Sequence, residues 1–275
     1  MAIIRSLILL LALATLSACS LLPEQIDETK GWSAQKFYNE ASAAMADGDY
    51  QTAIKYYESL EARYPFGRYA MQAQLDVAYA YYKDGDNESA IAAADRFIKL
   101  HPRNRFVDYA YYLKGVVNFN RNLGFLARFF PTDASQRDAS ATLSSFNDFS
   151  ELVNRFPNSE YAPDARKRMI YLRNNLAMNE LHVARYYMKR GSYIAAANRA
   201  KTIVEKYQRT PAVKEALEIM VEAYNILELP ELSADAQRVL AMNEQRGAFD
   251  IPANDADEGP SLGRKIWDYF KMDEN

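Results

Sequence analysis

An all-α fold, a tetratricopeptide-repeat (TPR) solenoid of about five helical hairpins, is predicted by two observations. The first is a phrase that occurs twice. Gly48-Asp49-Tyr50-Gln51-Thr52-Ala53 opens an apolar run that ends at Tyr64-Pro65, and Gly85-Asp86-Asn87-Glu88-Ser89-Ala90 opens another that ends at His101-Pro102. Gly to Ala spans five residues and Gly to Pro seventeen in both copies, which lie 37 residues apart. A period near 34 residues with this punctuation is the signature of TPR hairpins. The second is composition: 10 Gly and 10 Pro in 275 residues are too few for the many turns of a β-rich fold. One hairpin cannot bury its own apolar face, so hairpins stack into a superhelix with a groove. Such an array holds a partner rather than converting a substrate.

The leader comes first. In residues 1–18, Arg5 is a short positive start and Leu7 to Leu13 a compact apolar run, too short to span a bilayer. It ends in Leu16-Ser17-Ala18-Cys19, small residues before the chain's one cysteine. This resembles the bacterial lipoprotein signal, so Cys19 is expected to become the lipidated N-terminus, its thiol consumed and closed to disulfides or catalysis. Ser20, rather than Asp, follows it, which resembles the pattern sent on to the outer membrane with the body facing the periplasm. Residues 19–31 then form a tether.

The ordered body is expected in two stretches. Residues 32–160 hold units one to three, and residues 161–246 hold a long helix with units four and five. Unit one pairs a helix from about Ser33 to Asp47 with one from Tyr50 to Arg63. Ala41 and Ala53 fall where its helices cross closely, as do Ala78 and Ala90 in unit two. Gly115 takes that place in unit three. There the closing proline, Pro157, comes about eighteen residues late, so residues 121–138 are an insertion. Its Phe129 and Phe130 either pack back on their own hairpin or present a binding surface. Asn158-Ser159 and Pro163 then start a helix of some 27 residues, ending near Gly191. Ala184 and Ala196 mark the fourth crossing, with Gln208 where the proline would fall. Ala223 and Ala236 mark the fifth, which has Leu229-Pro230 instead of a glycine turn. A degenerate last unit suits a cap. Residues 247–275 comprise an acidic linker and a short helix with Leu262, Ile266, Trp267, Tyr269 and Phe270, placed either on the last repeat or on a partner.

Removing the leader takes away Arg5 and no acid, so the net charge moves from −3 to −4. That sign disfavours nucleic acid and general attraction to anionic membranes, leaving the lipid as the membrane contact. The chain has no Walker loop, H-E-x-x-H or C-x-x-C, and two separate histidines, His101 and His182. No enzyme activity, metal or cofactor is expected beyond the covalent lipid on Cys19.

The positive signal is aromatic. In TPR arrays the first helix of each hairpin lines the groove. Its inner face reads Tyr38, Ser42 and Met45 in unit one, then Leu75, Tyr79 and Tyr82, followed by Lys83, in unit two. Unit three supplies Tyr109, Tyr112, Val116 and Phe119. The matching positions of unit four (Met178, Leu181, Arg185, Met188 and Lys189) are less aromatic. Tyr38, Tyr79, Tyr82, Tyr109, Tyr112 and Phe119, with Lys83 beside them, therefore suit an extended peptide carrying aromatic side chains and a carboxylate. About half are expected at the surface and the rest between repeats.

From Cys19 to about Asn243 the chain resembles the BamD family, the TPR lipoproteins of the machinery that inserts β-barrel proteins into the Gram-negative outer membrane. The resemblance rests on the lipoprotein signal, Arg63-Tyr64-Pro65-Phe66-Gly67, Asp95-Arg96-Phe97-Ile98, Gln136-Arg137-Asp138 and Phe156-Pro157-Asn158-Ser159. It implies an anchored scaffold without catalysis whose N-terminal repeats receive the aromatic C-terminal signal of unfolded outer-membrane proteins. Its C-terminal repeats are implied to hold the BamA periplasmic domain, alongside the other lipoproteins of the BAM complex. Asn198 and Arg199 match the family's partner-contacting segment, so Arg199 is expected in an intersubunit ion pair. The weak fifth unit and the tail depart from the family. A TPR pilotin that escorts secretin subunits is the rival reading, and a cell-wall enzyme would require a catalytic carboxylate in a cleft.

Overall fold

In a computed structural model the structure describes residues 28–121 and 139–249. Among these there are ten helices and no strand. The helices are α1 Ala34–Asp47, α2 Tyr50–Arg63, α3 Arg68–Asp84, α4 Asn87–Leu100, α5 Val107–Arg121 and α6 Ala139–Arg155. They continue as α7 Ala162–Lys189, α8 Tyr193–Lys206, α9 Ala212–Ile226 and α10 Pro230–Gln245. None of them is long and apolar enough to cross a membrane. Cys19, most of the 121–138 insertion and the apolar tail residues Leu262 to Phe270 lie outside the described residues.

The repeated Gly-Asp phrase works as a two-residue hinge. Gly48 takes φ 80° and Gly85 φ 89°, the left-handed conformation in which a Cβ is costly. The next backbone N–H then reaches back to the helix, Asp49 to Ala44 at 2.9 Å and Asp86 to Tyr81 at 2.9 Å. The same aspartates cap the following helix. Asp49 accepts from Thr52 N and Asp86 from Ser89 N, both at 3.1 Å. Hydrogen bonds from the Thr52 and Ser89 side chains, together with these backbone bonds, hold both carboxyls below the usual carboxylate range. Ser33 caps α1 in the same way. Between α9 and α10, Glu228 occupies the left-handed position at φ 58°, where hairpins one, two and four have Gly48, Gly85 and Gly191.

Each helix packs on its chain neighbours, and α1, α3 and α5 also touch in succession, as do α7 and α9. Short connections make neighbouring helices antiparallel, so the first helices of the hairpins share the inner layer. The expected small residues sit at the crossings. Ala41, Ala53, Ala78, Ala90, Ala184, Ala196 and Ala223 have no exposed surface. In unit three the partner of Gly115 is Ser145, twelve residues before Pro157 just as Ala53 precedes Pro65. Its hydroxyl donates to the Gly115 carbonyl at 2.9 Å.

Two apolar clusters form the core. One runs from Phe37 to Leu172 and the other from Ala177 to Ile219. Helix α7 contributes to both, with Ala165 and Leu172 in the first and Ala177, Leu181 and Ala184 in the second. Its 28 residues, about 42 Å long, join the two as the long apolar pattern predicts.

Candidate functional site

The Arg63-Tyr64-Pro65-Phe66-Gly67 run ends α2 and starts α3. Tyr64 adopts φ −131°, ψ 67°, because a residue before proline avoids the helical region. Gly67 follows at φ 105° and turns the chain into α3, so that Arg68 and Tyr69 open that helix. The next inter-repeat turn is tied by Asn104, whose N–H donates to the His101 carbonyl at 3.0 Å and whose side-chain oxygen accepts from Phe106 N at 2.8 Å. Arg105 and Phe106 are thereby fixed beside the start of α3.

A cavity of about 540 Å³ lies between these turns, lined by Tyr38, Asn39, Arg68, Tyr69, Met71, Gln72, Leu75, Phe97, Asn104, Arg105 and Phe106. Leu75 and Phe97 belong to the core. The Tyr38 and Tyr69 rings are 5.5 Å apart, and the Tyr38 hydroxyl donates to buried Asp76 at 3.0 Å, fixing its orientation. The Arg68 guanidinium lies 4.8 Å from the Tyr69 ring centre and donates to its hydroxyl at 3.0 Å, while Arg105 lies 4.2 Å from the Phe106 ring. Aromatic and aliphatic surface thus sits beside two permanent, planar cations that match a carboxylate. No Asp, Glu, His, Ser or Cys lines the cavity. It is equipped for binding, and Tyr38 is the predicted aromatic that it uses.

The remaining predicted residues distribute differently. Tyr82 and Phe119 are half-buried. Tyr79 is buried and packs 6.2 Å from the Tyr82 ring, whose hydroxyl accepts from Asn120 at 2.7 Å. Tyr109 and Tyr112 are 1% and 3% exposed, which corrects their placement on the groove surface. They are inter-repeat core: Tyr112 stacks 4.8 Å from Tyr161 and donates to Asp164 at 2.7 Å. Asp164 in turn binds Arg168 at 2.6 Å, and the Arg168 guanidinium covers the Phe119 ring at 4.7 Å. Burial drives the Tyr112 phenol well above its ordinary value, Arg168 opposing and Asp164 adding to the effect. Periodicity could not separate these tyrosines from groove residues, because α5 is covered by α7 as well as by its hairpin partner.

Lys83 needs a second correction. It projects from the far end of α3, its ammonium 5.6 Å from the Tyr50 ring, away from the cavity. The cations beside the aromatic surface are Arg68 and Arg105. Their signal was present in the sequence, as an arginine directly before an aromatic at both inter-repeat turns.

Asn198 and Arg199 are exposed on α8. Arg199 pairs within the chain, its guanidinium 3.0 Å from Glu180 of α7, and that hydrogen bond holds its pKa above the usual value. A partner carboxylate would therefore compete with Glu180. No group of three His, Cys, Asp or Glu among the described residues is placed to hold a metal.

Comparison with known proteins agrees with this architecture. Residues 31–240 match the family model YfiO, described as an outer membrane lipoprotein. The outer membrane protein assembly factor BamD of Neisseria gonorrhoeae is 49% identical over 232 residues, covering 84% of this chain and 87% of that protein. BamD of Neisseria meningitidis serogroup B is 48% identical over 237 residues, covering 85% and 89%. BamD of Vibrio cholerae serotype O1 is 37% identical over 234 residues, covering 85% and 96%. The chain belongs to the YfiO family of outer membrane lipoproteins, together with these BamD assembly factors.

Proposed function

We propose that this protein is a non-catalytic scaffold of the BAM complex, anchored by lipid on Cys19 at the periplasmic side of the outer membrane. Its first three hairpins receive the aromatic C-terminal segment of unfolded barrel proteins. Its last two engage the BamA periplasmic domain through the α8 face that carries Asn198 and Arg199. The cavity between α1, α3 and the α4–α5 turn carries this reading, because ring surface and two guanidiniums suit a terminal aromatic residue with its carboxylate. The relatives' shared description as outer membrane protein assembly factors supports the setting. The pilotin reading gains no support from any of these relatives.

The test is fluorescence anisotropy with a labelled peptide that ends in phenylalanine, compared with its C-terminal amide. Charge-assisted hydrogen bonds are worth about 1.5–3 kcal/mol, so amidation should weaken binding at least about tenfold. Arg68→Ala/Arg105→Ala should erase most of that difference. Equal binding of acid and amide would overturn this assignment of the cavity.

A further inference from the structure

The two edges of the hairpin stack differ in charge. At the hinge edge of units one and two stand the exposed acids Asp47, Asp49, Asp84, Asp86 and Glu88, with two exposed bases among them, Lys83 and, paired with Glu88, Arg121 of α5. The inter-repeat edge presents Lys30, Arg63, Lys99 and Arg103, all exposed, around two apolar side chains. These are Phe66, 89% exposed, and Leu100, 57% exposed. Of the acids nearby, Glu28 is exposed, whereas Glu61 is half-buried and faces Arg96 at 3.7 Å. The net charge of −4 therefore conceals a local basic edge with an apolar tip.

The N-terminal segment enters the fold at that same edge. Arg63 donates to the Thr29 carbonyl at 2.7 Å, and the Tyr64 hydroxyl donates to the Trp32 carbonyl at 2.7 Å. Ten residues separate Cys19 from Thr29, a reach of at most about 35 Å. A lipid on Cys19 would attach the chain to the bilayer from this edge, with the acidic edge a further helix length away.

We propose that the inter-repeat edge of units one and two is a membrane-contact surface. Phe66 and Leu100 enter the headgroup region of an anionic leaflet, and Lys30, Arg63, Lys99 and Arg103 sit against lipid phosphates. Exposed aromatics among cations are what interfacial anchoring requires. The contact adds a second, oriented attachment to the lipid and sets the mouth of the cavity, marked by Arg68 and Arg105, at the membrane surface. Only the orientation depends on lipidation of Cys19; the charge and apolar pattern stand without it.

The experiment uses the mature lipoprotein in vesicles. With Cys19 lipidated, Phe66→Cys carries the single thiol and takes an environment-sensitive NBD label; Asp47→Cys labels the opposite edge as a control. In vesicles of phosphatidylethanolamine with phosphatidylglycerol, NBD at position 66 should shift to the blue and be quenched by brominated acyl chains. NBD at position 47 should do neither. Lys99→Glu/Arg103→Glu should reverse the shift while co-flotation with vesicles persists. Each basic residue near an anionic surface adds about fivefold in affinity, so the double reversal should cost the untethered chain at least about 25-fold. Failure to co-float would count against the anchor, not the edge. For that case Cys19→Ser with excess vesicles gives the same readout. An unshifted label at position 66 on vesicle-bound protein overturns the proposal, as does an equal shift at both positions.

Discussion

Gly115→Ala tests how closely the third hairpin is packed. Gly115 lies on α5 against α6, and a Cβ there would sit 2.5, 2.6 and 2.9 Å from three carbons of the Phe149 ring. Carbon atoms prefer about 3.5–4.0 Å, so the ring must retreat by about 1 Å. It has little room, being fully buried, with Tyr112 on one side at a ring separation of 5.9 Å. The retreat would also disturb the Ser145 hydroxyl on the Gly115 carbonyl. Alanine improves helix propensity by about 1 kcal/mol, whereas overpacking costs about 1–3 kcal/mol and the loosened hydrogen bond about 1 kcal/mol. The net expectation is a loss of about 1–3 kcal/mol, near 3–9 °C in Tm for a folded body of this size. Thermal unfolding followed by circular dichroism measures it, and Phe149→Leu should recover part of the loss in the double variant through a coupling of at least about 0.5 kcal/mol. A raised Tm for Gly115→Ala with no coupling would show that propensity outweighs the crossing, refuting the close-contact argument.

Four further perturbations address the buried polar groups and the α8 face. Tyr112→Phe removes one donor to Asp164 and should cost about 1–2 kcal/mol. Asp164→Ala strands the Arg168 guanidinium, 6% exposed, and should cost about 3–5 kcal/mol; denaturant titration ranks the two, and a reversed order would contradict the network. Burial pushes the Tyr79 phenol up to about 12, and burial with the Glu58 hydrogen bond does the same for Tyr81. Because the folded pKa values exceed the ordinary value of 10, their stabilising contribution is complete below pH 10 and is lost as pH rises towards 12. Comparing the wild-type chain with Tyr79→Phe isolates the tyrosinate absorbance of that phenol, which should appear only in that window; its appearance near pH 10 would contradict the burial. Arg199→Glu breaks an exposed pair and should change stability by less than about 1 kcal/mol, yet weaken capture of the BamA periplasmic domain at least about tenfold. A large stability loss with unchanged capture would make the arginine purely structural.

The repeat frame was legible because its signals are local. A Gly-Asp hinge followed by alanine five residues later sets two helix ends, one cap and one crossing in six residues, so α2 runs from Tyr50 to Arg63 as expected and α1 begins one residue after its Ser33 cap. The long α7 was also legible, since its apolar spacing continues without glycine and the only proline stands in its first turn. The site was legible only in part. Tyr38, Tyr109 and Tyr112 look alike in sequence, but Tyr161, the residue before α7, packs on the last two, while Tyr38 is left beside a cavity. Arg68 and Arg105 escaped notice because one is the first residue of α3 and the other lies in the turn before α5, both ahead of the positions used to read the groove. Ser145 could have been found by counting twelve back from Pro157. The pairing of Arg199 with Glu180 spans nineteen residues between two helices, and no local pattern announces it.

Under the proposed function this chain serves the assembly of outer-membrane barrel proteins as a class. Depleting it in its own host and quantifying folded barrel proteins in the outer-membrane fraction by mass spectrometry tests that claim directly. A general fall across unrelated barrel proteins, restored by the wild-type chain and poorly by Arg68→Ala/Arg105→Ala, is the predicted result. Unchanged barrel proteins with loss of a single secretin would contradict it.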